Sequence, residues 1–240
     1  MADEKVIEIR NVQKVYKKNH LFKTLKTVAL NGLSLTVYRG DIYCLLGLNG
    51  SGKTTTVKLL LNLIFPDKGE IFIFSSPPNA DSLKRIGYVS ENPYLFPYLT
   101  GYEFLDLMAI LNGFSKIKRK KRIAELCEYF KISGYVKRKI KEYSKGMQQR
   151  LLLTQALLHD PELLIMDEPY SGLDPVGILE MRNYIKELNE KGKTILFTSH
   201  IIAEAEKVAT RAGILSGGIL KKEFEVIPGN LEKEFMEAVL

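Results

Sequence analysis

The stretch GLNGSGKTT (residues 47–55) decides the fold, because it satisfies the phosphate-loop pattern G-x-x-x-x-G-K-[ST]. The apolar run DIYCLLG leads into it, which is typical of a strand buried on both faces. The segment GKTTTVKLLLNLIF that follows has helical spacing and stops before Pro66. A strand, a glycine-rich loop and a helix in this order favour a nucleotide-binding loop over a chance glycine-rich turn.

The loop itself predicts which groups meet the phosphates. Glycine lets phosphate oxygens approach backbone N–H groups more closely than a Cβ would permit, and the helix N-terminus adds partial positive charge. Lys53 is expected to reach the β- and γ-phosphates, and the Thr54 hydroxyl to bind Mg²⁺. The residues predicted to hold the nucleotide phosphates are Gly47, Leu48, Asn49, Gly50, Ser51, Gly52, Lys53, Thr54 and Thr55.

A second motif, LLIMDEP, supplies two acids. Four apolar residues before Asp167 indicate a buried strand whose end directs this carboxylate toward the Mg²⁺ bound by Thr54. Glu168 follows, and a carboxylate there can orient or deprotonate an attacking water. Two solvated surface charges are the alternative, but the buried strand disfavours it. The motif therefore predicts hydrolysis rather than nucleotide binding alone.

Composition limits the function classes. With 45% hydrophobic and 26% charged residues, the 240-residue chain has the balance of a globular protein. Its two cysteines, Cys44 and Cys127, give neither a disulfide framework nor a metal-ligand cluster, which favours a reducing compartment. The N-terminus MADEKVIEIR lacks the apolar region of a secretory signal, and no run approaches the length of a membrane span. Any membrane role is expected to depend on a partner.

The pattern along the chain predicts an α/β fold. VIEIRNV and LSLTV alternate as strands, residues 92–160 have helical patterns, and the strands ELLIMDE and KTILFTSH follow. We expect a P-loop NTPase sheet core (residues 1–91 and 161–240) with an N-terminal antiparallel β region. A helical lobe, residues 92–160, is expected to be inserted into this core. Thr100 and Glu103 are expected to form a capping box in the lobe, and the last ~12 residues of the chain to form a short helix.

The stretch YSKGMQQR (residues 143–150) predicts a second anion site. Ser144 is a natural N-cap, and a helix N-terminus without nearby acids attracts phosphate. Further along the chain, Asp174 followed by Pro175 is a good helix start, and His200 ends an apolar strand. Taken in order, the phosphate loop, YSKGMQQRL, LLIMDEP, SGLD and His200 resemble the ATP-binding subunit of an ABC transporter over nearly the whole chain.

The resemblance implies how the second site is used. In that family two subunits pair head to tail, so Ser144 and the Gly146 amide would contact the γ-phosphate of ATP held by the neighbouring subunit. Asp174 matches the acid that couples the two sites. Tyr16 matches the aromatic residue that stacks on adenine, with a core or edge-strand tyrosine as the alternative. His200 matches the histidine that contacts the γ-phosphate, with a structural histidine as the alternative.

The chain departs from the family pattern in two places. Glu91 in YVSENP replaces the usual glutamine; its carboxylate still offers an oxygen to metal or water, but it adds a negative charge. The segment YSKGMQQR is the position of the family's signature motif. In this signature, Lys145 and Met147 replace the usual glycine and glutamine, while Ser144 and Gly146 remain. We expect Glu91 to contribute to catalysis and to metal binding.

The resemblance implies an Mg-ATP-driven motor that works with integral membrane subunits. It would be cytoplasmic and peripheral on the inner face of the cell membrane, and the tail NLEKEF is similar to bacterial drug- and polysaccharide-export ATPases. The rival is an ABC-type ATPase acting on nucleic acid or ribosomes, but such proteins carry long coiled-coil insertions or two cassettes. A P-loop kinase leaves the signature, Asp174 and His200 unexplained. Cargo, direction and the identity of the second subunit are left open.

The net charge of +7 is concentrated in two basic runs, residues 116–122 and 137–141. Such runs can meet nucleic acid or anionic lipid, or can form a solvated helical face. Neither run carries the interleaved aromatics that nucleic-acid binding favours, so a nucleic-acid partner is disfavoured.

Overall fold

The computed structural model describes residues 4–20 and 23–239. Two sheets and a layer of helices make up the architecture. The strands are β1 (Lys5–His20), β2 (Lys23–Tyr38), β3 (Ile42–Leu46), β4 (Lys68–Ile73), β5 (Ile86–Val89), β6 (Leu163–Met166), β7 (Thr194–Ser199), β8 (Arg211–Ser216) and β9 (Ile219–Glu225). The helices are α1 (Lys53–Leu60), α2 (Ala80–Leu83), α3 (Gly101–Leu111), α4 (Lys116–Tyr129), α5 (Lys145–Ala156), α6 (Pro175–Glu190), α7 (Ile202–Glu206) and α8 (Leu231–Val239).

The six-stranded sheet has the order β5-β6-β7-β3-β8-β9. Its strands are parallel except β9, which pairs antiparallel with β8. Every residue of β3, β6 and β7 is buried, because both faces of this sheet are covered. The three strands run in the same direction, so the segments that follow them meet at one edge of the sheet. That edge positions the candidate site.

A second sheet, with the order β2-β1-β4, is antiparallel. It packs over one face of the six-stranded sheet with α1 in the same apolar cluster, which includes Ile7 and Leu33 of the antiparallel sheet, Val57 of α1, and Leu45 and Leu196 of the six-stranded sheet. The helix that follows the phosphate loop is thus fixed between two sheets.

Helices α3 to α6 and α8 cover the other face. Phe130, Leu151 and Ile195 belong to one cluster, which joins these helices to the sheet. The predicted capping box is confirmed: Glu103 N donates to Thr100 Oγ1 (3.2 Å) and Thr100 N donates to Glu103 Oε2 (2.8 Å). The predicted α/β fold with an antiparallel β region is confirmed, while the division at residues 91 and 161 stays a prediction.

Two helices end earlier than their patterns predict. The helix after the phosphate loop ends at Leu60 rather than before Pro66, because Asn62 adopts a left-handed conformation (φ 55°). Leu63 N donates to Lys58 O (2.9 Å), which closes the helix with the hydrogen bond expected of such an end. Likewise α5 ends at Ala156, although the helical pattern SKGMQQRLLLTQALLHD continues to Asp160, before Pro161. Asn62 thus ends the first helix inside an apolar pattern.

Candidate ATP-binding site

A cavity of about 530 Å³ opens at the carboxyl edge of the six-stranded sheet. It collects residues that are far apart in the sequence, because the phosphate loop follows β3, Glu168 follows β6 and His200 follows β7. The predicted site residues that line it are Tyr16, Asn49, Gly50, Gly52, Lys53, Thr54, Thr55, Glu91, Glu168 and His200. The cavity therefore joins the predicted phosphate, catalytic and adenine residues in one chain.

Two glycines of the phosphate loop, Gly47 and Gly52, leave no room for a Cβ unless their neighbours move. A Cβ at Gly47 would lie 2.4 Å from Ser51 Oγ and 2.5 Å from Leu215 O. Gly52 has a φ of 113°, and a Cβ there would lie 2.7 Å from Ala29 O. Leu48 is exposed and Ser51 is buried in the same loop. The tight backbone and the cavity beside it fit a phosphate group, which binds to backbone N–H groups.

Lys53 is the buried cation of the site. Its side chain is 6% exposed, and its Nζ donates to Gly47 O (2.7 Å) and Leu48 O (3.3 Å). The same nitrogen lies 3.2 Å from Glu168 Oε1. Lys53 is thus held against the loop that it is predicted to serve, with Glu168 as its counter-ion.

Asp167 and Glu168 are fixed by a threonine of the next strand. Thr198 Oγ1 donates to Asp167 Oδ1 (2.6 Å) and accepts from Glu168 N (2.9 Å). All three residues are buried, and Glu168 has a φ of 48°. A left-handed non-glycine residue costs about 1–3 kcal/mol and persists where the surroundings hold it. Asp167 does not line the cavity itself, so its predicted part in holding a metal ion stays a prediction.

His200 contacts the second oxygen of Glu168. Its Nδ1 lies 2.8 Å from Glu168 Oε2, and its backbone N donates to the same oxygen (3.3 Å). The His200 side chain is 42% exposed, so one face of the imidazole opens to the cavity. Lys53 and His200 thereby lie on the two oxygens of one carboxylate.

Glu91 lies on the cavity wall, in the loop after β5. Its Oε1 accepts from Ser171 Oγ (3.3 Å), and its backbone oxygen accepts from Lys145 Nζ (3.0 Å). The sequence reasoning missed the parts played by Ser171 and Thr198. Ser171 lies three residues after Glu168, and Thr198 lies within β7, two residues before His200; this closeness to predicted site residues is the signal that could have found them.

Tyr16 lies at the β1–β2 end of the cavity. It pairs with Thr27 across the two strands, is 39% exposed, and lines the cavity together with Thr27, Val28 and Ala29. An exposed ring on a strand beside the phosphate loop is compatible with stacking on a base. The adenine contact itself stays a prediction.

Ser144 and Gly146 of the signature, together with Asp174, form a different surface, called the signature surface below. Ser144, Gly146 and Asp174 line a second cavity of about 330 Å³ and do not line the first. Ser144 Oγ accepts from Met147 N (3.3 Å) at the start of α5, and Asp174 Oδ1 accepts from Gly177 N (2.7 Å) at the start of α6. A Cβ at Gly146 would meet nothing within 4 Å. Two capped helix N-termini therefore share an open surface.

Two groups near the first cavity have shifted pKa values. Burial raises the pKa of the Cys44 thiol, on β3 behind the site, well above its usual value, with Glu168 adding to the effect. Burial also raises the pKa of the Tyr88 hydroxyl on β5. Both groups are therefore neutral at physiological pH and add no charge to the site.

Comparison with known proteins decides the family. A model described as "ABC transporter" matches residues 30–171, more than half of the chain. The chain belongs to the ABC transporter family. The family prediction and the classification as an ATP-binding-cassette ATPase are confirmed.

The relatives are themselves ABC transporter ATP-binding proteins. One, an uncharacterized ABC transporter ATP-binding protein of Nostoc, is 46% identical over 90% of this chain and 65% of its own length. The bacitracin transport ATP-binding protein BcrA of Enterococcus faecalis is 38% identical over 94% of this chain and 71% of its own length. This chain thus spans about two thirds of the length of these relatives.

A solved structure extends the likeness to three dimensions. A dimeric ATP-binding cassette in a post-hydrolysis state, bound to ADP and inorganic phosphate, matches with a TM-score of 0.81. It is 27% identical, and the match covers 92% of this chain and 99% of that one. Within residues 4–20 and 23–239, no helix of this ABC protein combines the length and apolar character needed to cross a bilayer.

Proposed function

We propose that the chain binds and hydrolyses Mg-ATP in the first cavity and that this reaction drives an ABC transporter. The observation that carries the proposal is the position of Glu168, whose two carboxylate oxygens lie 3.2 Å from Lys53 Nζ and 2.8 Å from His200 Nδ1. A buried carboxylate held between the predicted phosphate ligand and the predicted phosphate-sensing histidine is placed to act on a water beside the terminal phosphate.

The residues divide the work between binding and proton transfer. Lys53 exchanges the carbonyl oxygens of its own loop for phosphate oxygens, and the loop N–H groups hold the rest of the phosphate chain. Glu168 accepts the proton of the attacking water, and His200 holds the terminal phosphate. Mg²⁺ would be held by Thr54, Asp167 and Glu91, and it would supply positive charge against the phosphate oxygens.

The chain is proposed to act with a second ATP-binding subunit, which is either another copy or a related chain. Ser144, Gly146 and Asp174 lie on a surface outside the first cavity, which supports their serving a nucleotide held by another subunit. An open helix N-terminus with a serine cap attracts phosphate. The dimeric state of the similar cassette supports this arrangement.

The remaining partners are proposed to be integral membrane subunits of an exporter, which would hold the chain at the inner face of the cell membrane. The transport name of the Enterococcus faecalis relative supports this proposal. A nucleic-acid partner has less support, because part of the basic run is bound within the chain. Arg119 Nε donates to Asp106 Oδ1 (2.5 Å) and Arg122 Nη2 donates to Leu157 O (2.8 Å).

The test uses Glu168→Gln. We expect this variant to keep ATP binding and to lose roughly 10²-fold to 10⁴-fold in turnover, since a positioned acid–base group contributes on that scale. We also expect Mg-ATP to convert Glu168→Gln to a dimer in light scattering, and Ser144→Arg to prevent the dimer. Ser115→Arg is the matched control, because Ser115 caps α4 in the same way outside the signature surface. Unchanged turnover, or a monomer at saturating Mg-ATP, would contradict the proposal.

A further inference from the structure

The loop that carries Glu91 is hydrogen-bonded near both of its ends to residues just before or at the start of α5, the signature helix. At the far end of the loop, Ile140 N donates to Leu99 O (2.9 Å) and Lys141 N donates to Pro97 O (3.1 Å). At the near end, Lys145 Nζ donates to Glu91 O (3.0 Å). Backbone atoms make the far attachment, so the near attachment is the one that depends on a particular side chain.

Lys145 reaches Glu91 by crossing between the two cavities. It is the first residue of α5, between Ser144 and Gly146, and it lines the second cavity, on the signature surface. Its methylene carbons pass Gly172, 3.6–4.0 Å from the position that a Cβ would occupy there, which is van der Waals distance. Its ammonium donates to the backbone oxygen of Glu91, which lines the first cavity, called the nucleotide cavity from here on.

The helix gains little from a lysine at this position. A positive charge in the first turn opposes the helix macrodipole, and α5 has no acidic residue there to compensate. An ammonium that donates to a carbonyl makes a charge-assisted hydrogen bond, which is stronger than a neutral one. The bond is made to the backbone oxygen of Glu91, while the Glu91 carboxylate accepts from Ser171 Oγ (3.3 Å).

We propose that Lys145 is a positioning residue that holds Glu91 in the nucleotide cavity, so that the two departures from the family pattern work as one unit. Through this bond the signature surface and the nucleotide cavity of the same chain move together. The inference rests on the proposed function, because Glu91 matters only if Mg-ATP binds in that cavity.

The first arm of the test uses nucleotide-free protein and is independent of ATP hydrolysis. In Lys145→Met the stem remains and the ammonium is lost, so the near end of the loop loses its bond to α5 and keeps the Ser171 contact of the Glu91 side chain, while the far end stays attached. We expect hydrogen exchange measured by mass spectrometry to rise several-fold for peptides covering residues 90–96 and to stay unchanged for residues 97–100. Lys145→Arg should restore protection. Lys141→Met, which removes an exposed lysine from the same segment, is the matched control.

The second arm is a double-mutant cycle with Glu91→Ala, read out as Mg-ATP affinity and as kcat. Contacting residues that act together show non-additive effects. We expect Lys145→Met to lower kcat or Mg-ATP affinity roughly threefold to thirtyfold in the original chain and less than twofold in Glu91→Ala. An equal effect in both backgrounds would mean that Lys145 acts separately from Glu91, and it would overturn the proposal.

The two arms separate this inference from the proposed function. If no variant hydrolyses or binds ATP, the proposed function fails, and the exchange measurement still decides whether Lys145 holds the loop. If exchange at residues 90–96 is the same in Lys145→Met and in the original chain, the inference fails even when Glu168→Gln behaves as expected.

Discussion

The nucleotide cavity and the signature surface are built in opposite ways. In the cavity, Lys53, Asp167 and Glu168 are each at most 6% exposed and are bonded to one another or to Thr198. On the signature surface, Ser144 and Asp174 are exposed, and each is bonded only to its own helix start in the described contacts. The first region pairs these three charged residues inside one chain, whereas the second presents its helix N-termini to solvent.

This difference has an energetic consequence. A buried polar group that loses its partner costs stability, whereas an exposed cap can be changed at the cost of one helix end. Substitutions in the cavity should therefore reduce both stability and ATP binding. Substitutions on the signature surface should reduce mainly the association with a second subunit.

The largest effect is expected for Lys53→Ala. The change removes the predicted phosphate ligand and leaves Glu168 buried without its cation. We expect ATP affinity to fall roughly 10-fold to 100-fold and the free energy of unfolding to fall by about 3 kcal/mol. Calorimetric titration and urea unfolding measure the two quantities. Lys58→Ala changes an exposed lysine on the same helix and is the control. Equal stability of Lys53→Ala and Lys58→Ala would contradict the claim that the buried pair in the cavity stabilises the fold.

The next effect is expected for Thr198→Val, which keeps the shape of the side chain but removes its hydroxyl. Asp167 Oδ1 then loses a donor and Glu168 N loses an acceptor, both in a buried setting. We expect the free energy of unfolding to fall by about 2 kcal/mol, with a lower kcat. Thr198→Ser keeps the hydroxyl and should retain most of both. If Thr198→Val and Thr198→Ser behave alike, the hydroxyl does not hold the two acids.

A smaller effect is expected for Asp174→Ala on the signature surface. Removing this cap should lower the free energy of unfolding by about 1 kcal/mol. It should also weaken the dimer that Mg-ATP induces in Glu168→Gln, as measured by light scattering. Ser115→Ala removes the cap of α4 and serves as the matched control. We expect the two variants to lose similar stability and only Asp174→Ala to weaken the dimer. Equal weakening of the dimer by both variants would contradict a role of the signature surface in association.

The smallest effect is expected at the opposite end of β6, outside both regions. The hydrogen bond from Arg85 lowers the pKa of Glu162 from 4.5 to about 2. Because the folded-state pKa is depressed, the carboxylate stabilises the fold above pH 4.5, and this contribution is lost as the pH falls toward 2. The side chain is 41% exposed, so solvent screening limits the effect to less than about 1 kcal/mol.

The matching variant is Glu162→Gln. In urea unfolding we expect it to be slightly less stable than the original chain at pH 7 and equally stable near pH 2. Its ATP affinity at pH 7 should be unchanged, because Glu162 lies at the amino end of β6 and the cavity lies at the carboxyl end. A stability difference that grows as the pH falls would reverse the sign of this prediction.

Much of the fold follows from local patterns that the sequence displays. The buried runs of β3, β6 and β7, the capping box of Thr100 and Glu103, and the Asp174–Pro175 start of α6 each depend on residues a few positions apart. The early end of α1 was not predicted, because the apolar pattern continues past Asn62 and only the backbone conformation there stops the helix. The backbone conformation of a single residue can therefore end a helix before its apolar pattern ends.

Residue types at short, fixed spacing are enough to specify the phosphate loop, the strand-end acids, the helix caps and the family. The packing of the folded chain was needed to show that Thr198 holds Asp167 and Glu168, that Lys145 reaches Glu91, and that the signature surface lies outside the nucleotide cavity. Thr198 is 31 residues from Asp167 and Lys145 is 54 residues from Glu91. Such pairs meet only when parallel strands and the helices beside them pack together, and no local pattern records that packing.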